Sequence, residues 1–424
     1  MLNLSRRNFL SVGAFGILSM PQILQAQNKN GTQHKAIINI FLAGGPPHQD
    51  MWDIKEDAPS EIRGEFKPIS TNVAGIQIGE CFPKIATMFD KFTAIRSVVG
   101  CKGSHDGYQC MSGWGRGDGI GSQKYPSIGS AASKILDPID TAVPITIGLA
   151  EPTKHKPWSE VGSAGYLGDA HKAFQPNSDM IDDLILKIEQ DRFVNRKKLL
   201  TTLGGITTVL NNTNTFNEEA FNVLTSSKLL DALDLSKEDP KIRERYGDGK
   251  PFKYQYDGAP TVNEHLLIAR RLVEASARSV SLSYGRWDSH GANFDLVRDH
   301  GPKLDQCVSA LVEDLEQRGI LDDVTVIVWG EFGRTPKINK GAGRDHWPQV
   351  SCALLAGGGF HHGQVIGATN KLGERATDRP VHMQEICATL YRGLGINTSS
   401  QVIVDNTGRP NYLLEHRNPV EELI

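Results

Sequence analysis

Between residues 262 and 394 the chain alternates between helical spacing and short apolar runs, which limits the open folds more than any other feature. Val262 to Ala277 places Leu266, Leu267, Ala269, Leu272 and Val273 at helical intervals and leads into a strand candidate, Ser279 to Tyr284. Pro302 to Arg318 repeats the pattern with Leu304, Val308, Leu311, Val312 and Leu315. Gly319 follows as a stop, and the apolar run Val324 to Trp329 comes at once. A third strand candidate, Val350 to Leu355, precedes three glycines at 357–359, and a last amphipathic helix, Met383 to Leu394, ends at Gly395. Two earlier runs, Ile37 to Leu42 and Thr93 to Val99, also stop at glycine. Helix alternating with buried strand predicts an α/β fold, a three-layer α/β/α sandwich around a mostly parallel sheet. Ligands in such sheets bind beyond the carboxyl ends of the strands.

Residues 178–249 interrupt this alternation, being charge-rich, helical in spacing and without a convincing strand. They read as a helical insertion, with a helix start at Ser236 or at Asp239-Pro240; a separate helical domain is the alternative.

The first 26 residues contain no acid, and their only charges, Arg6 and Arg7, precede the apolar stretch Phe9 to Met20. Ser5-Arg6-Arg7-Asn8-Phe9-Leu10 resembles a twin-arginine export signal, with cleavage expected after Ala26. The apolar core is shorter than the roughly 20 residues of a membrane span. Removing 1–26 leaves 44 basic and 49 acidic residues, a net charge of −5. The expectation is a periplasmic or secreted protein, passed through the twin-arginine machinery, with residues 27–424 forming one domain and no transmembrane helix. Acids and bases are interspersed without a basic stripe, so nucleic acid is excluded as a partner. Six cysteines form no C-x-x-C pair. A Cys101–Cys110 bridge and buried free thiols both remain open, the thiols favoured.

Metal-ligand side chains gather in four segments directly after predicted strands. The first holds His48, Asp50 and Asp53 behind Gly44-Gly45-Pro46-Pro47, and the second is Gly103-Ser104-His105-Asp106-Gly107. The third, Gly285 to His290, sets Asp288 and His290 on either side of one residue. The fourth runs from Gly330-Glu331-Phe332-Gly333-Arg334 to Gly343-Arg344-Asp345-His346-Trp347. Any one pair is commonplace, but strand ends on one edge of a parallel sheet converge. Imidazole and carboxylate donors without thiolate suit zinc, calcium or manganese. Arg334 and Arg344 suit a tetrahedral anion, which a guanidinium holds bidentately.

The strings Gly-Gly-Pro-Pro-His-Gln-Asp-Met-Trp-Asp (44–53), Glu-Ile-Arg-Gly-Glu-Phe-Lys-Pro-Ile (61–69), Trp-Asp-Ser-His-Gly-Ala-Asn-Phe (287–294), Gly-Glu-Phe-Gly-Arg-Thr-Pro (330–336) and Gly-Arg-Asp-His-Trp-Pro (343–348) resemble the domain family of unknown function numbered 1501. The resemblance runs from about residue 35 to the C-terminus. It implies the alkaline-phosphatase-like superfamily, with arylsulfatases and phosphomutases, and hence metal-assisted displacement at phosphorus or sulfur. By position, His48, Asp50 and Asp53 stand where that superfamily's first metal ligand is expected, Asp288 and His290 resemble the middle pair, and His346 the last His. Glu331 stands where an Asp-His pair usually follows its strand, with Phe332 in place of the His. The sulfatase signature Cys-x-Pro-x-Arg is absent. Ser104 is then the candidate nucleophile, His105 the alternative, and Arg334 or Arg344 the oxyanion group. The implied activity is hydrolysis of a phosphate or sulfate ester, small-molecule or polysaccharide. A metal-stabilised binding or accessory protein on the same fold is the second expectation.

Overall fold

The computed structural model describes residues 34–121, 123–177, 222–223, 226–248, 258–405 and 407–424. The export segment 1–26 and most of the stretch 178–249 lie outside the described residues.

Eight strands form the central sheet: β1 (Ala36–Ala43), β2 (Phe92–Val99), β3 (Thr146–Gly148), β4 (Ser279–Arg286), β5 (Val324–Trp329), β6 (Ser351–Gly357), β7 (Gln364–Ile366) and β8 (Val381–His382). Their order is β7-β2-β6-β5-β1-β4-β3, with β8 also pairing β2. β1 pairs in parallel with β4 and β5, and β3 with β4. Only β6 runs against its neighbours, antiparallel to both β5 and β2. β2 and β5 therefore point the same way, and the carboxyl ends of β1, β2, β4 and β5 share one edge.

Alternate side chains build a core on each face, as a sheet covered on both sides requires. Ile38, Ile40 and Leu42 of β1 join Val280, Leu282, Val326 and Val328 beneath α6 (Glu264–Glu274) and α7 (Asn293–Gln317). Ile37 and Phe41 join Ile327, Trp329 and Leu355 beneath α3 (Ile128–Ile135) and α8 (Met383–Gly393). Two short helices, α1 (Pro83–Thr87) and α2 (Tyr108–Ser112), flank β2. Among the described residues no helix is long and apolar enough to cross a membrane.

α7 begins nine residues before the expected start at Pro302, which lies inside it. Proline removes one backbone donor, but Phe294, Leu296, Val297 and His300 in the preceding turns are buried, and that burial carries the helix through. All six cysteines are free thiols.

α4 (Lys228–Leu233) and α5 (Pro240–Tyr246) are the described helices of the expected insertion. α5 starts as expected, with the Asp239 carboxylate accepting from Lys241 N and Pro240 at the first position. α4 packs on α6, and α5 on both α6 and α7, around a buried ion-pair cluster. Arg270, 1% exposed, lies between Glu238, Glu274 and Asp314. Arg271 joins at Glu238, Arg318 joins at Glu274 and Asp314, and the Tyr246 hydroxyl donates to Asp314. Removing one member of such a cluster leaves buried charge uncompensated. Arg270→Ala is expected to cost about 3–5 kcal/mol of unfolding free energy, read from urea denaturation. A loss below about 1 kcal/mol would mean that Arg271 and Arg318 hold the three acids without it.

Candidate metal centre

The loop leaving β1 carries the two glycines that let the strand ends close together. Gly44 and Gly45 have φ of +102° and +81°, a region that favours glycine. A Cβ on Gly44 would lie 2.6 Å from Asp288 N, and one on Gly45 2.5 Å from the Phe332 ring. Arg334, which is fully buried, ties this loop to its neighbours. Its Nε donates to Gly45 O at 2.9 Å and its Nη1 to Arg344 O at 3.1 Å. Its Nη2 donates to Gly44 O and, at 2.7 Å, to Asp288 Oδ1.

Around Asp288 the structure gathers residues from three other strand-end segments. His105, from the loop after β2, sets Nε2 3.5 Å from Asp288 Oδ2 and Nδ1 3.2 Å from Glu331 Oε1. His346 sets Nε2 3.3 Å from Asp288 Oδ1, and His290 sets its own Nε2 3.1 Å from the same oxygen. The two Nε2 atoms are 3.1 Å apart. Their outer nitrogens are both committed. His346 Nδ1 lies 3.1 Å from Gly103 O, a carbonyl that only accepts, so Nδ1 carries a proton and, in the neutral ring, Nε2 is the nitrogen with a lone pair. His290 Nδ1 lies 2.6 Å from Asp345 Oδ1, which sets the same tautomer. With both rings neutral, two imidazole nitrogens thus face Asp288 Oδ1, the oxygen that also accepts from Arg334 Nη2.

Among the described residues one group of ligand atoms meets the geometry of a metal site. His105, Asp288 and His346 each offer an atom within 4.8 Å of the others. Nitrogen and carboxylate donors in this ratio match borderline divalent ions such as zinc. Electrostatics agree. Burial lowers the pKa of His105, but Asp288 and Glu331 outweigh it and raise it to about 9. Burial opposes ionisation of Asp288 too, yet His105, His346 and Arg334 hold its carboxyl far below the usual carboxylate range. Glu331, fully buried, accepts from Gly44 N through both oxygens, at 3.0 and 3.2 Å.

The walls are aromatic. The Phe332 ring centre lies 4.5 Å from His346 and 5.5 Å from His105, and Trp158 meets His105 edge-on at 4.7 Å. Ser104 is exposed in the bend just before His105.

Several residues expected at the site have other partners. Arg344, fully buried, gives Nε and Nη2 to Asp50 at 2.7 and 3.1 Å, and its remaining donors to the carbonyls of Thr335, Pro336 and Ile62. Asp50 also accepts from Asn293 at 2.8 Å. Asp53 pairs with Lys55 at 2.9 Å and accepts from the Thr369 hydroxyl at 2.5 Å. His48, fully buried, reaches Gly373 O at 3.0 Å, and burial lowers its pKa to about 4. The first post-strand loop therefore contributes its glycine backbone to the centre rather than His48, Asp50 or Asp53. Asp345 supports His290. Neither Arg334 nor Arg344 retains an uncommitted face for an oxyanion.

Sequence reasoning missed Asn339 and Trp158. Asn339 donates to His290 O at 2.9 Å and to both Asp345 oxygens at 3.3 and 3.4 Å, and accepts from Gly341 N and Gly343 N. Its signal was an Asn within the turn-rich run Asn-Lys-Gly-Ala-Gly. Trp158 had none, being far in sequence from every motif.

Nothing among curated proteins matches the chain. Among solved structures, it is similar to the PsFucS1 sulfatase from Pseudoalteromonas sp., at 13% identity, TM-score 0.38, over 90% of this chain and 72% of that one. It is similar to Ps i-CgsB in complex with k-i-k-neocarrahexaose at 11% identity, TM-score 0.35, over 85% and 72%. It is similar to the lipoteichoic acid synthase LtaP from Listeria monocytogenes at 12% identity, TM-score 0.34, over 87% and 74%. Residues 34–424 match the family described as Protein of unknown function (DUF1501), and the chain belongs to that family.

Proposed function

We propose that the protein is a divalent-metal-dependent hydrolase of phosphate or sulfate esters, built on one α/β/α domain spanning residues 27–424. The observation that carries this reading is the meeting of the His290 and His346 Nε2 atoms at Asp288 Oδ1, with both tautomers fixed from behind. His105, Asp288, His346 and His290 would hold the ion, and zinc suits the donors better than calcium or manganese. A bound ion supplies Lewis acidity toward a phosphoryl or sulfuryl oxygen. Glu331 orients His105, Asp345 orients His290, and Arg334 keeps Asp288 ionised. Phe332 and Trp158 restrict water at the inner wall. Ser104, exposed beside His105, is the nucleophile in this reading. A second reading, a metal-stabilised binding protein without turnover, is favoured by one observation: the donors of Arg334 and Arg344 are committed to the fold.

Protein purified in the presence of zinc is expected to carry about one ion per chain by elemental analysis, and Asp288→Asn to lose it. Aryl phosphates and sulfates test turnover. Ser104→Ala should lower the rate at least about a hundredfold with ion content unchanged. An ion-loaded protein inert toward both ester classes would leave the second reading standing.

Ion affinity should also depend on pH. His105 holds a proton up to about pH 9 in the ion-free protein, and the ion must displace it. Affinity therefore rises with pH, by up to about tenfold per unit, and levels off above about 9. Calorimetry in two buffers of different ionisation enthalpy should detect about one proton released per ion at pH 7. No release would remove His105 from the ligand set.

Export by the twin-arginine route accompanies this reading. Replacing Arg6 and Arg7 by lysine should leave the protein in the cytoplasm on cell fractionation; unchanged export would refute the route.

A further inference from the structure

The loop that follows β3 brings a cationic turn to the rim of the metal centre. Trp158 is 3% exposed and wedged against His105 and the Gly44 position. Just before it come Lys154, His155 and Lys156, all exposed. The His155 ring centre lies 6.1 Å from His105 and 4.9 Å from Trp158.

The turn is fastened on both sides. Thr153 N donates to Ser159 Oγ at 2.8 Å, the Thr153 hydroxyl donates to His155 O at 2.8 Å, and Trp158 N donates to His155 O at 2.9 Å. Its charge is also uncompensated. The flanking acids are taken elsewhere, Glu151 by His265 at 3.1 Å and Glu160 by Arg116 at 2.7 Å. Among the described residues, neither Lys154 nor Lys156 forms an ion pair. A positive run on a chain of net charge −3, held rigid within reach of a centre whose own arginines are committed, has the properties of an anion subsite.

We infer that Lys154, His155 and Lys156 bind a second anionic group of the substrate, so that the natural ester carries at least one phosphate or sulfate besides the one displaced. This rests on the ester-hydrolase reading, but its test needs no turnover. The test measures binding to the zinc-loaded full-length mature protein by calorimetry. Inositol hexakisphosphate and inositol hexasulfate serve as compact polyanions, inorganic phosphate as the single anion and a short DNA duplex as a generic polyanion. The tighter-binding of the two inositol esters is the polyanion carried into the variant comparison.

The double variant Lys154→Ala/Lys156→Ala, altered only at exposed positions, is expected to bind that polyanion about tenfold more weakly and inorganic phosphate unchanged. The difference should shrink at high salt. Equal binding of the inositol ester by variant and parent overturns the inference. So does a DNA duplex that binds as tightly and loses the same factor, because the turn is then a general electrostatic surface. Failure of the underlying ester-hydrolase reading shows separately, as an ion-loaded parent protein inert toward aryl phosphates and sulfates.

Discussion

The arrangement depends on one buried guanidinium. Arg334 sits with no exposed surface between the β1 exit loop and the loop after β4, bonded to two consecutive glycine carbonyls, to the Arg344 carbonyl and to Asp288. A buried cation costs several kcal/mol of lost hydration unless it is paired and its donors are satisfied. Here one carboxylate and three carbonyls satisfy it, and the same bonds fix the carboxylate. Asp288 is thus held ionised and in one orientation before any ligand arrives. The strand-end loops are tied together by the group that charges the centre.

Arg344 repeats the device one layer deeper, taking Asp50 bidentately and three carbonyls from two other segments. A carboxylate gripped through both oxygens by a buried arginine has little left for a metal ion. The first loop's acids are consequently part of the frame. The glycines serve the same end, because a Cβ at Gly44, Gly45 or Gly64 would collide with atoms of Asp288, Phe332 or Asp50 respectively. The glycine-rich strand ends are a requirement of close backbone approach.

Much of this was legible in the sequence. The long strands fall within about two residues of the apolar runs that announced them, because burial on both sheet faces leaves an unbroken apolar signature. The edge strands β3, β7 and β8 were not, since two or three residues carry no periodicity. Asp288, His290, His346, His105 and Glu331 stand out in the sequence because they lie in segments after strands, and the structure brings them together because a parallel sheet collects its strand ends. His48, Asp50 and Asp53 met the same criterion, but their partners Gly373, Arg344 and Thr369 lie 325, 294 and 316 residues away. Residue type and spacing say that a side chain can ligate. Only tertiary pairing says whether it is free to do so.

His290 and His346 carry the argument one step further. Their outer nitrogens face acceptors, Asp345 and the Gly103 carbonyl, and so fix both inner nitrogens as lone pairs. With Asp288 ionised beside them, the point where these groups meet is electron-rich from three directions. The two outer partners thus decide which nitrogens of the candidate centre face Asp288.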